Sequence, residues 1–280
     1  MHEVGGKVME IYNGDEEDFN TLYKSDLSPV TEADLTANEL ICNYLLSNYP
    51  DFPIISEENE IPAFATRKDW DFFWLLDPID GTKEFVNKTG EFSINLALIH
   101  RNQPVFGIIY LPYYEEFYFG LLGEGAYQYR SSQVHKSIHT DTFATLSETI
   151  NKLYQQPQPI HLSHHKRLFA NKFSLSQPYL SVVTSRRQID PLTATYIDRL
   201  HQPRKLALGS ALKFISIAKG EADYYPRMIN IMEWDTAAGQ IIIQESGGAL
   251  LDAHTMKPLV YNKASLYNPY FIAQGHLTDL

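Results

Sequence analysis

The stretch Leu75-Leu76-Asp77-Pro78-Ile79-Asp80-Gly81-Thr82-Lys83-Glu84-Phe85, LLDPIDGTKEF, decides how this chain is read. An apolar run, Phe72-Phe73-Trp74-Leu75-Leu76, ends in two carboxylates three residues apart, with a proline between them and a glycine just after. Asp, Pro and a nearby Gly suit a type I turn, where the proline ring pre-sets the backbone. The same spacing also suits a hard cation. Pro78 fixes the backbone so that Asp77 and Asp80 can converge, and Ile79 can add its carbonyl. Gly81 and Thr82 would then begin a helix whose N–H groups face an anion. The stretch alone fits both a turn and a metal site.

Outward from it, the surrounding segments read as strands. SINLALIH (93–100), PVFGIIYL (104–111), EFYFGLL (116–122) and GAYQY (125–129) are rich in β-branched and aromatic residues. Short turn segments separate them, which predicts antiparallel hairpins. Upstream, PIIS (53–56) predicts a short buried strand followed by Glu57, Glu58 and Glu60. Thr31 with Asp34 forms a capping-box pattern just after Pro29, and Leu35, Ile41, Tyr44 and Leu45 are spaced for a helix from Thr31 to Tyr49. Residues 1–23 predict a short helix and an acidic loop.

Residues 131–180 are rich in Ser, His, Thr and Gln, with a weak helical pattern in LSETINKLY. A domain boundary or an elaborated loop is expected there. The second half then alternates strand and helix, with Gly220 and Gly247 where helix-ending glycines belong. The fold class is therefore α/β, with an antiparallel sheet in the N-terminal half and a mixed α/β C-terminal half. The boundary divides residues 1–155, an α+β domain, from 156–280, an α/β domain.

With 280 residues, 44% apolar and 20% charged, the chain is globular rather than disordered. Its net charge of −11 argues against broad binding to nucleic acid or anionic membranes. A phosphate substrate would need local cations to reverse that field. Cys42 stands alone, and no apolar run approaches the ~20 residues of a membrane span. The N-terminus lacks a secretory pattern. A cytoplasmic protein is expected, soluble or peripheral on the cytoplasmic face of the membrane.

Four acids share a placement. Glu57 follows a predicted strand, Asp77 and Asp80 follow another, and Asp235 opens a predicted helix in EWDTAAG. Strand ends and helix N-termini are where ligands bind in α/β sheets. Each acid also has a plainer reading: Glu57 as a solvated loop acid, Asp235 as an N-cap, Asp34 as half of its capping box. Their occurrence together with the DPIDGT spacing favours a metal site. No Cys/His cluster offers a zinc site.

Two segments, Asp77-Pro78-Ile79-Asp80-Gly81-Thr82 and Trp234-Asp235-Thr236-Ala237-Ala238-Gly239, resemble the paired signatures of the inositol monophosphatase superfamily of Mg²⁺-dependent, lithium-sensitive phosphatases. Lys24 to Asp34, Ser56-Glu57-Glu58, Gly90-Glu91-Phe92, Gly209 to Phe214 and Tyr225-Pro226-Arg227 are similar to segments of its 3′(2′),5′-bisphosphate nucleotidases. One departure is Ser185-Arg186-Arg187, where that group has a Ser-x-Ser-His-like stretch. Residues 131–180 are longer than the resemblance leads one to expect, and the first helix shorter.

The resemblance implies a layered αβαβα sandwich. It implies that Glu57, Asp77, Asp80, Asp235 and the Ile79 carbonyl bind two or three Mg²⁺ ions. Most of these ligands fall in the N-terminal domain, and Asp235 falls with the nucleotide-binding residues in the C-terminal one. Glu57 and Thr82 would orient a water for in-line attack, with Asp34 assisting as a base or binding a third ion. Gly81, Thr82, Ser210, Lys213, Arg227 and Asp235 would contact substrate, with Ser210, Lys213 and Arg227 around the 5′-phosphate of adenosine 3′,5′-bisphosphate. The products would be AMP and phosphate, and 3′-phosphoadenylyl sulfate would be a further substrate. That places the activity in sulfur metabolism. The partner would be a small nucleotide bisphosphate, not nucleic acid, and monomer and homodimer both stay open. An inositol or sugar monophosphatase of the same superfamily is the alternative, and a non-catalytic metal-dependent nucleotide-binding regulator a more distant one. A nucleic-acid exonuclease fits the acidic charge poorly.

Overall fold

Period-two alternation along Phe72–Asp80 sends neighbouring side chains into two different cores. Phe72, Trp74 and Leu76 join a cluster with Val8, Ile41 and Leu45, whereas Phe73 and Leu75 join one with Ile215 and Ile242. A strand buried on both faces must be apolar at every position, which is why FFWLL is a continuous run. The structure is a computed structural model that describes residues 1–14, 22–23, 29–130, 165–186 and 189–278.

In the first half the elements run α1 (His2–Asn13), β1 (Leu22–Tyr23), β2 (Pro29–Val30), α2 (Glu32–Asn48), β3 (Ile54–Ser56), α3 (Phe64–Arg67), β4 (Phe72–Asp80) and α4 (Thr82–Val86). The meander follows as β5 (Ser93–His100), β6 (Gln103–Leu111), β7 (Glu116–Leu121) and β8 (Gly125–Arg130). After it come β9 (Lys166–Arg167), β10 (Lys172–Phe173), β11 (Ser181–Ser185), α5 (Pro191–Ile197), β12 (Arg204–Leu208), α6 (Leu212–Ala218) and β13 (Tyr224–Arg227). The described chain closes with α7 (Glu233–Glu245), β14 (Ala249–Asp252), β15 (Phe271–Gln274) and β16 (His276–Leu277).

Strands β3 to β9 form a seven-stranded sheet in sequence order. It is antiparallel through the meander, but β3 and β4 pair in parallel. That departs from an all-antiparallel reading, and the crossover segment between them, which carries α3, is what permits it. A second, five-stranded mixed sheet has the order β12-β11-β13-β15-β14. Helices α1 and α2 cover one face of the large sheet, and α6 and α7 fill the space between the two sheets. Helix α5 packs on the far face of the small sheet, where Ile197 meets Val182, Tyr224 and Ile272. The result is the five-layer αβαβα sandwich.

Helix α7 lies hard against the large sheet because two strand residues there are glycines. A Cβ on Gly120 would fall 2.9 Å from the Ile242 backbone, and one on Gly107 would fall 2.8 Å from the Ala238 Cα. This close approach carries the start of α7, with Asp235, to the end of β4. The helix predicted over 31–49 is α2, and its capping box is present. Its apolar face differs from the spacing read in the sequence: Leu35 and Tyr44 are exposed, and Ala33, Ala37, Ile41 and Leu45 are buried. The alanines let α2 approach closely and leave the larger side chains at its flank. The proposed boundary at 155, the LSETINKLY helix, residues 24–28 and Arg187 lie outside the described residues.

Candidate active site

Strand β4 does not stop at Asp77; it runs through Asp80, so both acids are part of the sheet and not of a following loop. The pairing with β5 breaks between Asp77 and Asp80, and this irregularity re-aims the strand end. Gly81 then takes φ +90°, a left-handed value that favours glycine, and caps the five-residue helix α4. A side chain there would also press on the Glu91 carbonyl and the Ser210 Cβ, 3.1 and 3.2 Å away.

Three of the expected acids meet. Glu57 at the end of β3, Asp77 in β4 and Asp235 in the first turn of α7 each present an oxygen, all within 4.8 Å of one another. Asp235 is the acidic half of a capping box, accepting from the Met232 N–H at 2.9 Å. Glu57 accepts from the Trp234 indole N–H at 3.1 Å, which ties β3 to α7. Asp77 is 1% exposed, and its Oδ1 is buried without a hydrogen-bond partner among the described residues. Burial pushes the Asp77 carboxyl well above the usual range, with the charges of Glu57 and Asp80 adding to it. Burial, then Asp80 and Glu57, raise Asp235 in the same way. Acids crowded at this cost, with an unsatisfied oxygen among them, form a hard, all-oxygen donor set that could hold a metal ion.

Asp80 stands beside this trio. Its Oδ2 accepts from the Ser210 hydroxyl at 2.8 Å and from the Asn95 amide at 3.5 Å. Ser210 also meets the Ser93 hydroxyl at 2.7 Å, and Ser93 donates to Asn95 at 2.9 Å. Ser93 and Asn95 were not singled out by sequence, although both lie in the SINLALIH strand. Period-two alternation puts both on one face of β5, but only the pairing with β4 turns that face toward Asp80.

Asp34, 2% exposed, accepts from the Thr31 N–H at 2.8 Å and its hydroxyl at 2.6 Å. The Thr82 hydroxyl lies 3.1 Å from Asp34 Oδ1 and 3.2 Å from the Ile79 carbonyl. One hydroxyl proton serves one acceptor at a time, so the other can be released to a ligand. Burial pushes the Asp34 carboxyl up to about 6, against the hydrogen bonds from Thr31 and Thr82 that pull it down. Asp34 is thus both half of a capping box and a partner of Thr82.

A cavity of about 460 Å³ adjoins Asp80 and Gly81, and Ser210, Lys213 and Arg227 line it, as do Ser185, Arg186 and Asp190. Lys213, on α6, is half-buried; burial lowers its pKa and the charge of Asp80 opposes that. Arg227 ends β13, donates to the Ser185 hydroxyl, and keeps a buried Nε without a hydrogen-bond partner among the described residues. Ser210 adopts φ +46°, a strained value for a serine, where the chain turns from β12 into α6. Asp190, which caps α5 through the Thr193 N–H at 2.8 Å, was not foreseen. The Asp before Pro191 was its signal.

Comparison with known proteins gives a consistent set of matches. The inositol monophosphatase family model matches residues 1–278. The curated 3′(2′),5′-bisphosphate nucleotidase CysQ of Salmonella typhimurium is 33% identical, covering 96% of this chain and 94% of that one. Its Escherichia coli K12 counterpart is 32% identical over the same shares. The crystal structure of CysQ from Bacteroides thetaiotaomicron superposes with a TM-score of 0.78 at 35% identity, covering 98% of this chain and 93% of that one. An IMPase from Thermotoga maritima shares the fold, with a TM-score of 0.70, 24% identity and coverage of 98% and 88%.

Proposed function

The chain belongs to the inositol monophosphatase family, and from that premise we propose that it is a Mg²⁺-dependent 3′(2′),5′-bisphosphate nucleotidase. It hydrolyses the 3′-phosphate of adenosine 3′,5′-bisphosphate to AMP and phosphate, and 3′-phosphoadenylyl sulfate is a second substrate to try. The observation that carries the reading is the pair Lys213 and Arg227 in a cavity also lined by Asp80, whose charge acts on the neighbouring Asp77 of the acidic trio. A monophosphate needs one anion site; this cleft offers a second.

Glu57, Asp77 and Asp235, with Asp80 and the Ile79 carbonyl beside them, would hold two or three Mg²⁺ ions. Metal held there would supply charge neutralisation of the phosphate and a lowered pKa for a water. Thr82 accepts a proton of the attacking water while donating its own to Asp34, whose pKa near 6 leaves it mostly ionised at neutral pH. Glu57, fixed by Trp234, orients the same water. The Gly81 N–H steadies a phosphate oxygen, and Ser210 keeps Asp80 aimed while facing the substrate. Lys213 and Arg227 take the 5′-phosphate, so that binding energy from the remote group positions the scissile one.

The test is phosphate release with Mg²⁺ from adenosine 3′,5′-bisphosphate, 3′-phosphoadenylyl sulfate and inositol monophosphate. The bisphosphate is expected to have the largest kcat/KM. Preference for inositol monophosphate would reduce the reading to a monophosphatase of the same family.

A further inference from the structure

Arg186 joins Lys83, Lys213 and Arg227 among the cations that line the same cavity, and it alone of the four is paired with Glu91. It pairs with Glu91 in the loop between α4 and β5. Its Nε donates to Glu91 Oε2 at 2.5 Å, and its Nη2 pairs with Oε1. Glu91 also accepts the Gly209 N–H on Oε2 at 2.9 Å. An exposed ion pair that merely fastened two loops would be weak. This pair is asymmetric: the Glu91 side chain is 11% exposed and the Arg186 side chain 46%. The carboxylate is sunk and fully used, while the arginine keeps its Nη1 without a hydrogen-bond partner among the described residues. A planar guanidinium held along one edge can offer its other edge to an anion at little further ordering cost.

Resting on the reading of this cavity as the seat of a second phosphate, we infer that Arg186 is a specificity-determining residue, a third cation for that second anionic group, and that Glu91 is the positioning residue that holds it at the lip. Glu91 has a further arm. Gly209 precedes Ser210, and Ser210 donates to Asp80, so the carboxylate that anchors Arg186 also steadies the wall that aims Asp80. Loss of Arg186 should therefore act on binding of the second anion. Loss of the Glu91 charge should act there and, more weakly, on turnover.

The experiment is steady-state kinetics of the wild type, Arg186→Gln and Glu91→Gln with Mg²⁺, on adenosine 3′,5′-bisphosphate and adenosine 3′-monophosphate. The readout is the ratio of the two kcat/KM values, bisphosphate over monophosphate. A wild-type ratio near one sinks the second-phosphate reading and this inference with it. Given a wild-type ratio well above one, Arg186→Gln should lower it by about 10- to 100-fold, mostly through KM for the bisphosphate. A ratio within about twofold of wild type, or equal losses on both substrates, overturns the inference and leaves the reading of the cavity standing. Glu91→Gln should lower the ratio less, because the guanidinium stays charged, and should also lower kcat on both substrates. A thermal melt checks that each variant folds. If Arg186→Gln does not, Glu91→Gln decides alone: a fallen ratio supports the inference and a wild-type ratio overturns it.

Discussion

At one end of the cleft the charges are acids sunk in the core, and at the other they are cations at its lip. Asp77 is 1% exposed and surrounded by Glu57, Asp80 and Asp235, whereas Arg186 is nearly half exposed and Lys213 half-buried. The acids repel one another and leave an oxygen unsatisfied; the arginine lip is held by hydrogen bonds to Glu91 and Ser185. The acidic end is a donor set that could hold a cation, and the basic end keeps guanidinium N–H groups that an anion could take. On the proposed function, a chain of net charge −11 could take a doubly phosphorylated substrate because the global field would be reversed locally, by metal at one end and by the cations at the other.

The strongest way to break this contrast is Asp77→Asn, which keeps the shape and removes a charge. Phosphate release should fall by several orders of magnitude on every phosphate substrate. The thermal midpoint of the metal-free protein should rise, because a repelling buried charge is gone. Activity close to wild type at saturating Mg²⁺, or a lower metal-free midpoint, would place Asp77 among ordinary structural acids.

A second prediction uses pH. The folded Asp34 carboxyl titrates near 6, above the ordinary 3.8, so the folded state binds that proton more tightly than the unfolded chain does. Its contribution to stability is therefore greatest below about pH 4 and is lost as pH rises through 6, by about 3 kcal/mol. Asp77 and Asp235 shift in the same direction. The gain in thermal midpoint from Mg²⁺ over chelator should accordingly grow as pH rises from 4 to 7. A gain that is constant across this range, or shrinks, would contradict the strained acidic end.

Lithium should produce the smallest effect and sharpen the same contrast. Inhibition should be partial, and equal on adenosine 3′,5′-bisphosphate and adenosine 3′-monophosphate, because it acts at the acidic end alone. Unequal inhibition constants would link lithium to the cationic end.

Much of this arrangement was legible in the sequence, for physical reasons. Acids at strand ends and helix starts are local features, and Glu57, Asp77 and Asp235 converge because β3 and β4 run to the place where α7 begins. The capping box of α2 and the meander strands are set by neighbouring residues, so they too could be read. What could not be read depends on distant partners. Nothing near Glu91 says that it will meet Arg186, 95 residues away. Ser93 and Asn95 look like ordinary strand residues until β4 and the Ser210 turn bring Asp80 and Ser210 against them. The parallel pairing of β3 with β4 and the strand at Phe271–Gln274 depend on sheet assembly, which local pattern does not encode.

The most direct test of the two-ended cleft is kcat/KM for Lys213→Ala/Arg227→Ala on adenosine 3′,5′-bisphosphate and adenosine 3′-monophosphate. Charge-assisted contacts to a phosphate are each worth ~1.5–3 kcal/mol, so the bisphosphate should lose roughly two to four powers of ten. The monophosphate lacks the group those residues hold and should lose far less. Equal losses on the two substrates would contradict the account, assigning Lys213 and Arg227 to the fold or to the acidic end.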